Sequence, residues 1–205
     1  MVDNLRELGI NVVVVKGPKS IADVKENVKL IAKTLGEEDK GNLMIAKMDD
    51  KLAEIKEKVD NIKPEERKKL VLISLMTSYG GKGCTFDDIC QYAGVINGVS
   101  DAGLHNGQLL TKEMLVAINP DLLIMPVYND HNTFDIEKYN KEFLDDPALQ
   151  TLNAVKEKRF FYPREGYIYN SSQDIVFGVQ EVARAAYGEL FSQPENCHIS
   201  VAEIN

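Results

Sequence analysis

The sequence predicts an α/β protein: a Rossmann-like parallel sheet flanked by helices, with a long bridging helix. Three observations carry this. Short apolar runs, NVVVV at 11–15, LVLIS at 70–74 and LLIMP at 122–126, have the length and composition of buried parallel strands. Capped helical stretches separate them, which is the alternation of a parallel layer. Residues 37–59 read as one long, mostly polar helix, a pattern typical of a helix running between two masses.

Residues 3–9 read as the end of a helix, with Gly9 as its stop. The NVVVV run follows, bounded by Gly9 and Gly17-Pro18. It is apolar on both faces, yet one strand with one short helix cannot make a domain. It therefore joins the later sheet, pairs with another chain, or is the tail of a lobe that precedes it. Ser20 and Asp23 form an S-x-x-D box that opens a helix carrying Ile21, Val24, Val28, Ile31 and Leu35 at helical spacing; Gly36 closes it. In the long helix, Leu43, Ala46, Leu52, Ile55 and Val59 give one apolar stripe. Residues 61–69, NIKPEERKK, are a charged linker with a proline and the best boundary in the chain.

From Leu70 strand and helix alternate. A helix over 86–93 opens at Thr85 and closes at Gly94. Residues 95–110 are glycine-rich and read mostly as loop. Thr111 caps a short helix to Ile118, which Asn119-Pro120 breaks before the strand at 122–126. Residues 134–146 read as polar and helical, 147–155 as a short helix, and 159–162 as an edge strand stopped by Pro163. A final helix covers 172–191, with Ile175, Val179, Val182, Ala183, Ala186 and Leu190 on one side.

Composition excludes several classes. The 24 Lys and Arg against 32 Asp and Glu leave a net charge of −8, which argues against a nucleic-acid partner. No run of 18 apolar residues spans a membrane, and the N-terminus has no secretory signal pattern. The chain as given is thus expected in the cytoplasm, unless an export signal lies on a preceding part. Cys84, Cys90 and Cys197 do not make a disulfide framework. With His105, His131 and His198 they form no CxxC or HxxxH spacing, so no metal site is expected.

The stretch TSYGGKGCTFDD at 77–88 invites a phosphate-loop reading. A Walker A loop needs glycine at Met76 and a hydroxyl residue at Gly83, and it has neither. A dinucleotide fingerprint fails at Phe86. No nucleophile elbow is present, no catalytic residue is nominated, and an enzyme is unsupported. What stands out is aromatic. Tyr79, Tyr128, Tyr162, Tyr167 and Tyr169 fall at or just past expected strand ends, where open parallel sheets bind ligands. A tyrosine there offers a flat apolar face with a hydroxyl.

The order of elements resembles class III ABC-transporter periplasmic substrate-binding proteins, the family that captures iron–siderophores, haem or vitamin B12. The resemblance rests on residues 5–55 as the last strand of one lobe, a helix ending in Leu-Gly and an interdomain helix. It continues through GCTFDDICQYAG at 83–94, TKEMLVAINPDLLI at 111–124 and LDDPALQTLNAVKEKRFF at 144–161. It implies that 1–19 is the remnant of an N-terminal lobe, 20–63 holds helices including the interdomain one, and 64–205 is a C-terminal Rossmann-like lobe, most of the N-terminal lobe being absent. It implies a substrate-binding component without enzymatic activity or cofactor, carrying an iron–siderophore, haem or cobalamin as transported ligand, located outside the cytoplasm, with ABC permease subunits as partners.

The same resemblance puts Tyr79, Gly80, Gly81, Lys82, Gly83, Cys84 and Thr85 where ligand contacts sit, together with Tyr128 and Asn129, and Tyr167 or Tyr169. Lys82 would meet an anionic group, and the glycines would let a bulky ligand approach the backbone. Glu113 matches a glutamate that docks to permease arginines, although a first-turn glutamate also suits a helix dipole. The incomplete N-terminal part invites a homodimer. The alternatives are a cytoplasmic nucleotide-binding protein with its cradle at 79–85 and a dimerising interaction module that binds no ligand.

Overall fold

A computed structural model of the chain describes residues 2–75, 78–127, 134–164 and 166–202. They hold a parallel sheet in the order β2-β1-β3-β4, with β1 Lys69–Leu72, β2 Ile96–Asn97, β3 Leu122–Ile124 and β4 Phe160–Phe161. Leu70 stands opposite Asn97 on one side and Leu122 on the other, and Ile124 stands opposite Phe161. Side chains alternate across the sheet. Leu70, Leu72, Leu122 and Ile124 enter one core, and Val71, Ile73, Leu123 and Met125 enter a second. Both faces are covered, which is why the strand sequences are apolar throughout.

The first core is closed by α2 (Ile21–Leu35), α3 (Glu38–Val59), α4 (Thr85–Tyr92) and α9 (Ile175–Tyr187). The second is closed by α5 (Gly98–Asp101), α6 (Lys112–Ile118), α7 (Ile136–Leu144) and α8 (Asn153–Lys156). Ser20 caps α2 as expected, its hydroxyl accepting from the Asp23 amide at 3.1 Å. Gly36 follows in the left-handed region, φ 71°, and its amide closes the last turn. The buried stripe of α3 is Met48, Leu52, Ile55 and Val59. Leu43 is only half-buried and Ala46 is exposed. A Cβ at Gly41 would lie 2.4 Å from the Ala32 Cβ, so the glycine permits the close crossing of α2 and α3. The long helix also touches α4 and α9, so residues 20–63 share the first core with the sheet.

Several expectations are corrected. The run at 11–15 forms no strand, and Val13, Val14 and Val15 are exposed. A strand is held by a neighbour, and among the described residues none lies beside it; α1 (Val2–Glu7), just before it, buries nothing. The stretch 95–110 is not mostly loop at its start. It contains β2 and α5, both too short to show a period, and β2 is held by pairing with β1. The helix expected at 147–155 is a 3-10 turn, Pro147–Leu149, followed by α8; the Asn153 amide donates to Asn119 Oδ1 at 2.9 Å, where α8 starts. The last helix is shorter, ending at Tyr187 with a 3-10 turn after it. Every residue of α9 from Ile175 to Ala183 is buried, not one face alone, because α3, α4 and β3 all pack on it.

One polar cluster lies inside this packing. Glu181 of α9 is wholly buried between Arg164 Nε at 3.2 Å and Arg184 NH2 at 2.9 Å, and Gln193 Nε2 donates to it at 3.1 Å. The Arg184 guanidinium covers the Phe161 ring at 4.9 Å, so β4, α9 and the chain after it meet at one carboxylate. A buried charge that loses its partner is costly. Glu181→Leu leaves the buried Gln193 amide and two part-buried guanidinium groups without their acceptor, and is expected to lower stability by about 2 kcal/mol in urea unfolding. An unchanged midpoint would show that the cluster contributes nothing.

Candidate functional site

The chain leaves β1 into a loop that is fixed before it reaches α4. Lys82 pairs with His105 in an isolated parallel bridge: its amide donates to the Leu104 carbonyl at 2.9 Å and its carbonyl accepts from Asn106 at 3.0 Å. Gly107 donates to the Ser78 carbonyl at 2.7 Å. The two loops touch at Gly81, where a Cβ would lie 2.7 Å from the His105 carbonyl carbon. Gly81 thus admits the chain's own backbone.

A second tie comes from Asn97, buried at the end of β2. Its Nδ2 donates to the Gly80 carbonyl and to Asp87 Oδ1, each at 2.9 Å, and its Oδ1 accepts from the Val99 amide at 3.2 Å. Asp87 Oδ2 in turn accepts from the Gly83 amide at 3.3 Å. The amides of Lys82 and Gly83, which a phosphate cradle would need free, are both engaged within the protein.

Held this way, the loop presents Tyr79. Its hydroxyl shares a 2.9 Å hydrogen bond with Thr85 Oγ1 in the first turn of α4. Its ring lies 5.7 Å from that of Tyr169, tilted by 39°. Burial pushes the Tyr79 phenol far up, and it pushes Tyr169 up too, against a hydrogen bond with Ser74. Both phenols are therefore neutral donors or acceptors, not phenolates. They stand at the carboxyl end of β1, beside a recess of about 80 Å³ lined by Ser74, Tyr79, Leu110, Lys112, Tyr139 and Phe143. Tyr139 continues the aromatic surface, 5.6 Å from Phe134 and 6.3 Å from Phe143. Lys112 at the rim is ion-paired with Asp146, which raises its pKa.

The residues singled out in the sequence divide clearly. Tyr79, Thr85 and Tyr169 come together. Gly80 and Gly81 are buried in the loop, and Lys82 and Gly83 are exposed on it. Lys82 Nζ has no ion pair among the described residues. Cys84 is buried; its thiol donates to the Gly81 carbonyl at 3.2 Å, burial pushes its pKa up, and it faces the core. Tyr167 is in the core: its ring packs 5.7 Å from Phe177 and its hydroxyl donates to the Cys197 carbonyl at 2.9 Å. Of the two tyrosines before α9, Tyr169 is the one whose ring meets Tyr79. Tyr128 and Asn129 lie outside the described residues. Tyr162 is exposed past β4, beside a separate groove lined by Asn140 and Leu144. Glu113 is exposed in the first turn of α6; its own amide and the Thr111 hydroxyl hold its carboxyl below the usual range.

Sequence reading missed Asn97, Tyr139 and Lys112. Tyr139 and Phe143 stand four apart in a segment read as polar, which was the available signal. Among the described residues no cluster of three His, Cys, Asp or Glu is placed to hold a metal ion, and no helix is long and apolar enough to cross a membrane.

The periplasmic binding protein family matches residues 2–165, and the chain belongs to that family. A relative from Bacillus subtilis (strain 168), the uncharacterized ABC transporter substrate-binding lipoprotein YvrC, is 25% identical over 198 residues. That alignment covers 94% of this chain and 59% of the relative, so the chain spans under two thirds of the length of the curated protein it matches. Two solved structures share the fold. The periplasmic heme-binding protein RhuT from Roseiflexus sp. RS-1 has 19% identity and a TM-score of 0.76, covering 91% of this chain and 70% of that one. A possible iron-binding (periplasmic solute-binding) protein from Staphylococcus epidermidis ATCC 12228 has 19% identity and a TM-score of 0.73, with the same coverages of 91% and 70%.

The geometry makes Asn97 the joint of the site. Asn97→Leu would leave the Gly80 carbonyl, Asp87 Oδ1 and the Val99 amide without partners in a buried space. Stability is expected to fall by about 2 kcal/mol, and hydrogen exchange of the Lys82 and Asn106 amides to accelerate. Unchanged exchange there would separate Asn97 from loop order.

Proposed function

We propose that this chain is the C-terminal, ligand-contacting lobe of an extracytoplasmic substrate-binding protein of an ABC importer, and that its cargo is an iron–siderophore, haem or corrinoid-type complex. The observation that carries the reading is the Tyr79–Tyr169 pair. It is an aromatic surface with neutral hydroxyls, held at the carboxyl end of a parallel sheet by a loop whose Lys82 and Gly83 amides are engaged within the protein. Such a surface favours a large, flat or ring-bearing ligand over a bare ion. Family membership and the heme- and iron-binding descriptions of the relatives support the same cargo class. The lipoprotein description of the Bacillus relative supports a place outside the cytoplasm.

In this reading the protein performs no chemistry. Tyr79, Thr85 and Tyr169 contact the cargo, and Lys82 at the exposed rim meets its anionic groups. Tyr128 and Asn129 belong to the same proposed surface, and the opposing wall of the cleft comes from a second lobe. Glu113 faces the permease from α6, where its carboxylate stays charged and exposed for an arginine partner.

The chain contains no tryptophan and eight tyrosines, so its emission is tyrosine emission to which Tyr79 and Tyr169 contribute, and the Tyr79 and Tyr169 variants identify their share. Titration with haem, a ferric hydroxamate, a ferric catecholate and cobalamin is expected to quench that emission for one of them, while ATP and NAD leave it unchanged. Tyr79→Ala and Tyr169→Ala should each weaken binding about tenfold, the equivalent of 1.4 kcal/mol. Quenching by none of the four, with the second lobe supplied, would contradict the reading. Glu113→Lys is expected to stop uptake through the cognate permease in vesicles while ligand affinity stays the same.

A further inference from the structure

We infer that Lys82 and His105 act as one pair that receives a carboxylate of the cargo, so that the transported complex bears carboxylates rather than neutral groups alone. The inference rests on the ligand reading above and narrows it. The isolated bridge sets the two residues opposite each other in parallel register, through the Lys82 amide to Leu104 and the Asn106 amide to the Lys82 carbonyl. Residues opposite each other in a parallel pair project their side chains from the same face, about 4.8 Å apart at the backbone. Both side chains can then converge on one carboxylate. Lys82 supplies a charged ammonium and His105 an imidazole N–H. The backbone beneath them is fixed: the His105 amide donates to Gln108 Oε1 at 2.7 Å, and the Gln108 amide donates back to the His105 carbonyl at 3.0 Å.

The composition around the pair points to an anion. The chain has 32 Asp and Glu, yet residues 73–86 and 102–112, the two loops with their flanks, contain none. The acids that border them are committed elsewhere. Asp87 lies buried, accepting from Asn97 Nδ2 and the Gly83 amide, and Asp101 pairs with Lys69 at 2.8 Å. Lys112, at the neighbouring recess, is already neutralised by Asp146. An acidic chain that keeps carboxylates out of two touching loops, and places a lysine and a histidine side by side there, lowers the repulsion a carboxylate ligand would meet. The pair stands on the loop that presents Tyr79, so a ring-bearing cargo against the tyrosines would turn its carboxylates toward Lys82 and His105.

Two pairs of diamagnetic probes added to the isotope-labelled 205-residue chain test this. One pair is gallium protoporphyrin IX and its diamide; the other is gallium citrate and a neutral gallium hydroxamate. The carboxylate member of one pair is expected to shift the Lys82 and His105 amides together with Tyr79 and Tyr169, and to bind about tenfold tighter than its neutral counterpart. The pair that responds tells whether the carboxylates belong to a tetrapyrrole or to a small iron chelate. Lys82→Gln and His105→Ala should each weaken the carboxylate member about tenfold and leave the neutral member unchanged. A neutral member that shifts Tyr79 and Tyr169 and binds as tightly as its carboxylate counterpart would overturn the inference and leave the ligand reading standing. So would variants that weaken both members equally or neither. Absence of any shift with all four probes also overturns the inference, and the ligand reading falls with it only if a ferric catecholate and cobalamin fail as well.

Discussion

The shape of the proposed ligand-contacting loop depends on one buried side chain, Asn97. Its amide reaches the loop after β1, the first turn of α4 and the first turn of α5. A buried amide with its donors and acceptor met costs little; the same amide with partners removed is expensive. The Gly80 end of the loop is therefore tied in place by a side chain on the neighbouring strand. Gly81 makes that conformation possible, because only a residue without a Cβ lets the loop lie against 104–106.

That constraint explains the chemical character of the surface. With the amides of Lys82 and Gly83 occupied internally, the loop has little left to offer a phosphate or a free metal ion. What it presents is side chains: Tyr79 against Thr85, then Tyr169, then the aromatic row on α7. The phenols are protonated at neutral pH and burial pushes them further up, so the proposed site would select by shape, ring contact and neutral hydrogen bonds. Charge is confined to the rim.

Much of this was legible in the sequence. LVLIS and LLIMP announced the central strands because burial on both faces demands an unbroken apolar run. Ser20, Thr111 and Asn119-Pro120 announced helix ends because their capping chemistry is local. The tyrosines at 79 and 169 were visible as aromatics just past strand ends. What sequence did not show is non-local. Asn97 and Asp87 are ten residues apart and look like any polar pair, and β2 is too short to carry a period. Tyr167 and Tyr169 stand two residues apart past the strand and have opposite fates, decided by whether Phe177 and the Cys197 carbonyl or Tyr79 lies opposite. The valine run at 11–15 shows the converse: its propensity for a strand is strong, and propensity without a neighbour does not make one.

The central claim is that the loop from Gly80 to Thr85 and the ring of Tyr169 form one ligand-contacting surface. Amide chemical shifts of the isotope-labelled chain, recorded while a diamagnetic gallium(III) siderophore or gallium porphyrin is added, test it most directly. The account predicts saturable shifts at Tyr79, Lys82, Gly83, Thr85 and Tyr169, with α2 and α3 unmoved. Shifts confined to α2, α3 or the outer face of α6 would contradict it.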